Sequence, residues 1–175
     1  RTLVAAAGPA LVTERRRVIA STGFAENADP RDVTFLVVDD DQVDRRAFVR
    51  AMRRQGLPGK VVVARDGHEA LQRLRGSADQ GIDPIGCPFV VLLDLNMPRM
   101  GGLEFLEELR ADPRLRRAVV FVFSTSDDPL DKAAAYDRNV AGYLVKTGDS
   151  TDYDAAVRLL GQYVEVVRLP GERRH

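Results

Sequence analysis

Cysteine is nearly absent from these 175 residues. Cys87 stands alone, so no disulfide can close within the chain, and a reducing cytoplasm is the expected setting. Histidine is almost as scarce. His68 and His175 lie away from every candidate strand end, which leaves Ser-His-Asp catalysis and a zinc site without support. No apolar run is long enough to cross a bilayer. The apolar segment from Leu3 to Val12 is interrupted by Gly8 and Pro9, and its charges follow it rather than precede it, the wrong order for a signal peptide. An excess of one charge is missing too. Lys+Arg and Asp+Glu both number 26 and cancel, so nucleic acid is not expected as a direct partner. What is present is an ordinary globular balance, 45% hydrophobic and 30% charged, in a length that suits one domain with modest extensions.

Residues 1–32 do not fit the pattern that follows. Pro9 to Ala20 is a candidate helix with Pro9 in its first turn, and Asn27-Ala28-Asp29-Pro30 reads as a linker. From Val33 onward, short apolar runs alternate with amphipathic stretches. Strands are predicted at 34–38, 60–64, 89–93, 118–123 and 141–145. Helices are predicted at about 42–55, 67–75 and 101–110, then from Asp128-Pro129, and from about Thr151 past Tyr163. In the first helix Val43, Ala47, Phe48 or Val49, and Met52 should face inward. A Gly/Pro-rich loop fills 76–88, and 164–175 forms a tail. Five alternations over 33–163 predict an α/β domain, a doubly wound parallel sheet with helices on both faces. Ligands in such folds bind at the carboxyl ends of the strands.

Four of the five strands deliver a polar side chain to that edge. The first ends in Asp39 and Asp40, the third in Asp94, the fourth in Ser124 and Thr125, and the fifth in Lys146. Three carboxylates make a hard oxygen cage suited to Mg²⁺. A carboxylate can also attack phosphorus to form an aspartyl phosphate. The ammonium and a hydroxyl would then offset the phosphoryl charge. Asp41 reads only as a helix cap, and Thr125 as a partner for strand-end backbone.

Phe35 to Asp40, Leu93-Asp94-Leu95-Asn96-Met97-Pro98, Phe123-Ser124-Thr125 and Gly142 to Lys146 together resemble the receiver domain of two-component response regulators. The resemblance covers 33–163. The intervals of 30 residues from Asp94 to Ser124 and 22 from Ser124 to Lys146 are family-like. The interval of 54 from Asp40 to Asp94 is longer than usual, and the 76–88 loop accounts for the excess. The resemblance implies a flavodoxin-like fold with strand order 2-1-3-4-5. It implies that Asp94 is the phosphoacceptor, that Asp39, Asp40, Asp94 and the Asn96 carbonyl hold Mg²⁺, and that Lys146 pairs with the phosphoryl group or with Asp94. Ser124 and Tyr143 would form the switch. The family usually carries a cis proline after this lysine. Here Thr147 follows, so the loop is either rebuilt in trans or strained.

A narrower resemblance is to single-domain regulators paired with phytochromes. Asp94 to Met100, Arg110-Ala111-Asp112-Pro113, Ser124 to Asp128 and the Tyr163 to Pro170 tail carry it. The expected partner is a sensor histidine kinase, and the narrower resemblance implies a phytochrome. The expected role is signalling rather than enzymatic turnover, with output through protein contacts because 164–175 is too short for a DNA-binding module. Two other classes compete. An aspartyl-phosphate phosphatase of haloacid dehalogenase type would place its nucleophile on the first strand with a second Asp two residues on, but position 96 is Asn. A flavodoxin-like flavin binder needs a hydroxyl-rich phosphate loop where this chain has three acids.

The last helix carries two apolar stripes: Tyr153, Val157, Leu160, Val164 and Val167, and beside them Ala156, Leu159, Tyr163 and Val166. Together they span about 180°, against the roughly 100° needed to cover one sheet. A homodimer through Leu159, Tyr163 and Val166 is expected.

Overall fold

The computed structural model describes residues 32–171; the candidate helix at 9–20 and the linker at 27–30 lie outside them. Within those residues five strands and five α-helices alternate. They are β1 Thr34–Val38, α1 Gln42–Gln55, β2 Lys60–Ala64, α2 Gly67–Arg75, β3 Phe89–Leu93, α3 Gly102–Ala111, β4 Val119–Ser124, α4 Pro129–Asp137, β5 Gly142–Val145 and α5 Thr151–Val166. The long loop before β3 holds a 3₁₀ turn at Ala78–Gln80. Every strand pair is parallel and the order is β2-β1-β3-β4-β5. The chain leaves β1 to one side for β2, then crosses to the other side for β3. The carboxyl ends of β1 and β3 therefore flank the topological switch point.

The central strands are apolar throughout because both faces are covered. On one face Leu36, Val38, Val91, Leu93, Val120 and Val122 pack with Leu71 and Leu74 of α2, Phe105, Leu106 and Leu109 of α3, and Ala135 of α4. On the other, Phe35, Val37, Val90, Leu92, Phe121 and Phe123 meet Phe48 and Met52 of α1 and Val157, Leu160 and Val164 of α5. Alternation along each strand sorts these side chains between the layers. Each buried Leu, Val or Phe contributes about 1.5–3 kcal/mol by leaving water.

Local chemistry sets the helix ends. Asp41 caps α1 by accepting from the Val43 N–H at 2.7 Å, and Asp128 caps α4 by accepting from the Leu130 N–H at 2.9 Å with Pro129 next in line. Gly56 ends α1 with φ +64°, a conformation that glycine adopts without steric cost.

The structure corrects several sequence expectations. Val43 does not face inward: it is 66% exposed, and Phe48, Ala51 and Met52 form the buried face of α1. The first turn of this helix presents Asp44 rather than Val43 to the carboxyl edge of the sheet, where Asp44 accepts from Lys146. Strands β4 and β5 each begin one residue later than expected, and Gly101 caps α3 rather than opening it. The two stripes of α5 are not one buried and one free. Ala156 is fully buried, and the Tyr163 ring meets Phe121 edge-on at 5.0 Å. Only Leu159 (40%) and Val166 (79%) remain exposed. The large rings of β4 widen the surface that α5 covers, so most of both stripes is used in the core.

Candidate functional site

Strand register assembles the site. Val38 pairs with Ala64 and with Leu93, so the residues that follow, Asp39 and Asp94, emerge side by side. The Asp94 N–H donates to the Val38 carbonyl at 2.8 Å, and the Asp39 N–H donates to the Ala64 carbonyl at 3.0 Å. Ser124 pairs with Val145, and the Lys146 N–H donates to the Ser124 carbonyl at 2.8 Å. The ladder thus carries on one step past the strands and fixes each functional backbone.

The carboxylates of Asp39, Asp40 and Asp94 each offer an oxygen, all within 4.8 Å of one another. Asp39 and Asp94 are buried and Asp40 is exposed, which leaves the cluster one open side. Lys146, its side chain 4% exposed, reaches over the Phe123 ring into the cluster. Its Nζ donates to Asp39 Oδ2 at 2.6 Å and to Asp44 Oδ2 at 2.8 Å, and stands 3.6 Å from Asp94 Oδ2. Asp39 Oδ1 also accepts the Asp41 N–H at 2.8 Å.

Electrostatics follows from this crowding. Burial pushes the Asp39 carboxyl up to about 6, against the pull of Lys146 and the Asp41 N–H, with Asp94 adding to the rise. Burial works against the Lys146 charge, but Asp39, Asp44 and Asp94 outweigh it and hold the ammonium above its ordinary range. Burial also opposes the Asp44 charge, yet bonds from Lys146 and from the Tyr153 hydroxyl keep its carboxyl below the usual value. Three carboxylates share one ammonium and Asp40 adds a fourth acid beside them, so a divalent cation is the natural complement. The donors are hard oxygens, as Mg²⁺ prefers. The residues present fit a divalent metal.

The remaining residues predicted for the site fall into place around this centre. Ser124 is fully buried at the end of β4, and its hydroxyl accepts the Ser126 N–H at 3.4 Å. Tyr143 is half-buried on β5, and its hydroxyl donates to the Ser126 carbonyl at 2.9 Å, so its ring is tied to the β4–α4 loop. The Asn96 N–H donates to Asp94 Oδ1 at 3.3 Å. The cis bond among the described residues is Cys87–Pro88, so the Lys146–Thr147 bond is trans. Asp152 holds the rebuilt loop by accepting the Thr147 N–H at 2.6 Å and the Thr147 hydroxyl at 3.1 Å.

Sequence reasoning missed Asp44 and Tyr153. Asp44 left a signal: it is an acid in the first turn of a helix that starts at the site. Tyr153 left none, since its ring meets Phe123 of β4 at 5.4 Å only once α5 packs on the sheet. Asp66 and Arg99 also pair, tying the β2–α2 turn to the loop after β3.

The fold and site define a flavodoxin-like α/β domain with an acidic, metal-competent cluster and a buried lysine at its switch point. The family model "Response regulator receiver domain" matches residues 35–158, and the chain belongs to that family. It is 30% identical to Response regulator Rcp1 of Synechocystis sp. over 148 residues, 84% of this chain and 99% of that protein. Among solved structures it is similar to the phosphorylated cyanobacterial phytochrome response regulator RcpA, with a TM-score of 0.71 and 31% identity over 80% of this chain and 99% of that one. It is also similar to response regulator RPA3017 in red light signaling of R. palustris, with a TM-score of 0.67 and 32% identity over 78% of this chain and 97% of that one.

Proposed function

We propose that the protein is a phosphorylation-controlled signalling switch in which Asp94 accepts a phosphoryl group from a histidine of a sensor kinase. An Asp94 oxygen attacks phosphorus as the bond to the histidine nitrogen breaks, and that nitrogen keeps the electron pair. The observation that carries this reading is the buried Asp94 carboxylate, flanked by Asp39 and Asp40, with Lys146 Nζ at 3.6 Å.

Mg²⁺ is the proposed ion, held by Asp39, Asp40 and Asp94 with the Asn96 carbonyl; when bound it supplies the charge that lets a phosphate dianion approach three acids. Lys146 contributes the protein's own cation, and the Ser124 hydroxyl donates to a phosphoryl oxygen. Movement of Ser124 then draws on Tyr143 through the shared Ser126 segment. Likeness to RcpA, RPA3017 and the bacteriophytochrome response regulators RtBRR and AtBRR supports a phytochrome kinase as the donor. Output through protein contacts in the cytoplasm, without catalytic turnover, completes the reading. Among the described residues no helix is long and apolar enough to cross a membrane.

A homodimer through α5 belongs to the same reading, on a smaller patch centred on Leu159 and Val166, with Tyr163 contributing its exposed edge. The test of the core reading is incubation with acetyl phosphate and Mg²⁺ followed by intact mass. Wild type should gain one HPO₃ and Asp94→Asn none. A gain that persists in Asp94→Asn, or in excess EDTA, overturns it. Phosphotransfer from an autophosphorylated phytochrome kinase, compared with an unrelated kinase, tests the partner.

A further inference from the structure

Lys146 serves two masters. Its ammonium makes short contacts to Asp39 and to Asp44, at 2.6 and 2.8 Å, and a longer one of 3.6 Å to Asp94. Asp39 belongs to the acidic cluster, but Asp44 does not: it sits in the first turn of α1 and is outside the group of oxygens that could hold a metal. Its neighbour across the α1–α5 packing is Tyr153, which lines the same small cavity as Asp44, Phe48 and Phe123. Tyr153 opens α5, and its ring stands edge-on to Phe123, the ring over which Lys146 lies at 5.3 Å. The next residue of α5, Asp154, accepts from Gln55 of α1 at 2.7 Å. Charged contacts therefore run from Asp94 through Lys146 to Asp44, and Asp44 faces Tyr153 of α5 across a shared cavity.

We propose that Asp44 is a positioning residue that latches Lys146 away from Asp94 in the resting site and passes its own release to α5 through Tyr153. The inference rests on the reading of Asp94 as phosphoacceptor. A phosphoryl group on Asp94 brings a second negative charge to within reach of the ammonium. Two of its three N–H groups are committed to short bonds, so moving Nζ toward the phosphoryl oxygens stretches one of those bonds. Asp39 is the more deeply buried of the two and is pinned by the Asp41 N–H as well, so Asp44 is the partner that yields. An acid left without its ammonium leans more heavily on the Tyr153 hydroxyl, and the first turn of α5 feels the change. This route is separate from the Ser124–Tyr143 pair, which acts on the β4–α4 loop. In energetic terms the latch taxes the phosphorylated state, because the bond to Asp44 must be broken to reach it.

Beryllofluoride with Mg²⁺, a mimic of the phosphoryl group, tests the latch at equilibrium. Asp44→Asn keeps the shape of the side chain and removes its charge. Asp41→Asn removes a charge from the same acidic run while keeping the cap, and touches no lysine. Asp44→Asn should bind beryllofluoride several-fold more tightly than wild type, with Asp41→Asn close to wild type. A ¹³C label at tyrosine Cζ reads the other end. The Tyr153 resonance should move when wild type binds beryllofluoride and should be displaced already in ligand-free Asp44→Asn. Equal affinities in the two variants overturn the latch. A Tyr153 resonance that does not respond in wild type overturns the hand-off and needs no variant to fold. A wild type that gains no phosphoryl group from acetyl phosphate overturns the acceptor reading instead.

Discussion

Asp39 and Lys146 are separated by 107 residues, yet Asp39 Oδ2 and Lys146 Nζ lie 2.6 Å apart with both side chains buried. Neither charge could be buried alone. The carboxylate would be pushed to its neutral form and the ammonium would shed its proton. Together, and with Asp44 and Asp94, they leave a net negative deficit that a divalent cation can fill.

Removal of the lysine should therefore be costly in a metal-dependent way. Lys146→Met leaves Asp39, Asp44 and Asp94 facing one another without a cation, and breaking a buried pair from one side costs about 3–5 kcal/mol. Urea unfolding without metal should show a loss of that order, and Mg²⁺ should restore more stability to the variant than to wild type. Equal metal effects on both proteins would count against the charge argument.

Metal binding should depend on pH through Asp39. Its carboxyl is raised to about 6 from an ordinary 3.8, mainly by burial. A raised acid favours the fold while protonated, so this group's contribution to metal-free stability is full below about pH 4 and is lost as pH rises through 6. The metal needs the carboxylate and competes with that proton. Mg²⁺ affinity should be flat above pH 7 and fall steeply below 6 in a metal titration. An affinity independent of pH from 5 to 7 would refute this.

Gly102 should not tolerate a side chain. A Cβ there would come within 2.4 Å of the Asp94 carbonyl oxygen and 2.7 Å of Leu95 Cα, both backbone atoms of the site. Gly102→Ala should cost about 1–3 kcal/mol of stability, as overpacking does, and should weaken Mg²⁺ binding by shifting the Asp94 backbone. Thermal unfolding and metal titration check the two effects. Gly56→Ala, where a Cβ meets nothing within 4 Å, separates backbone strain from crowding.

Ser124→Ala should uncouple the switch from the acceptor. The hydroxyl is fully buried and accepts from Ser126, whose carbonyl holds the Tyr143 hydroxyl. Phosphorylation from acetyl phosphate should persist, while the response of the labelled Tyr143 ring to beryllofluoride should shrink. An unchanged response means that Ser124 is not the relay.

The α5 patch predicts the assembly. Leu159→Arg with Val166→Arg changes only exposed side chains, whereas Tyr163→Arg would disturb the contact with Phe121. Sedimentation velocity at micromolar concentration should show a dimeric wild type and a folded, monomeric double variant. A monomeric wild type, or a double variant that stays dimeric, removes the proposed interface.

Much of this protein was legible in its sequence because the signals are local. Apolar runs such as Phe89–Leu93 and Thr34–Val38 read as doubly covered strands, and the acid that ends each run reads as an edge residue. Asp41, Asp128 with Pro129, and Gly56 mark helix ends through bonds to backbone only a few residues away. Those features determined the alternation of elements, and with it the edge on which Asp39, Asp94, Ser124 and Lys146 must meet.

Tertiary structure decided the rest, where distance in the chain hides the partner. That Lys146 makes short contacts to Asp39 and Asp44 and a longer one of 3.6 Å to Asp94 depends on bringing the end of β5 to the start of α1, which no local pattern encodes. Packing of α5 also sets Tyr153 in the cavity beside Asp44 and Tyr163 against Phe121, narrowing the apolar face of α5 to Leu159 and Val166. Periodicity states how wide a helix's apolar arc is; only the neighbouring rings of Phe121 and Phe123 determine how much of that arc is covered.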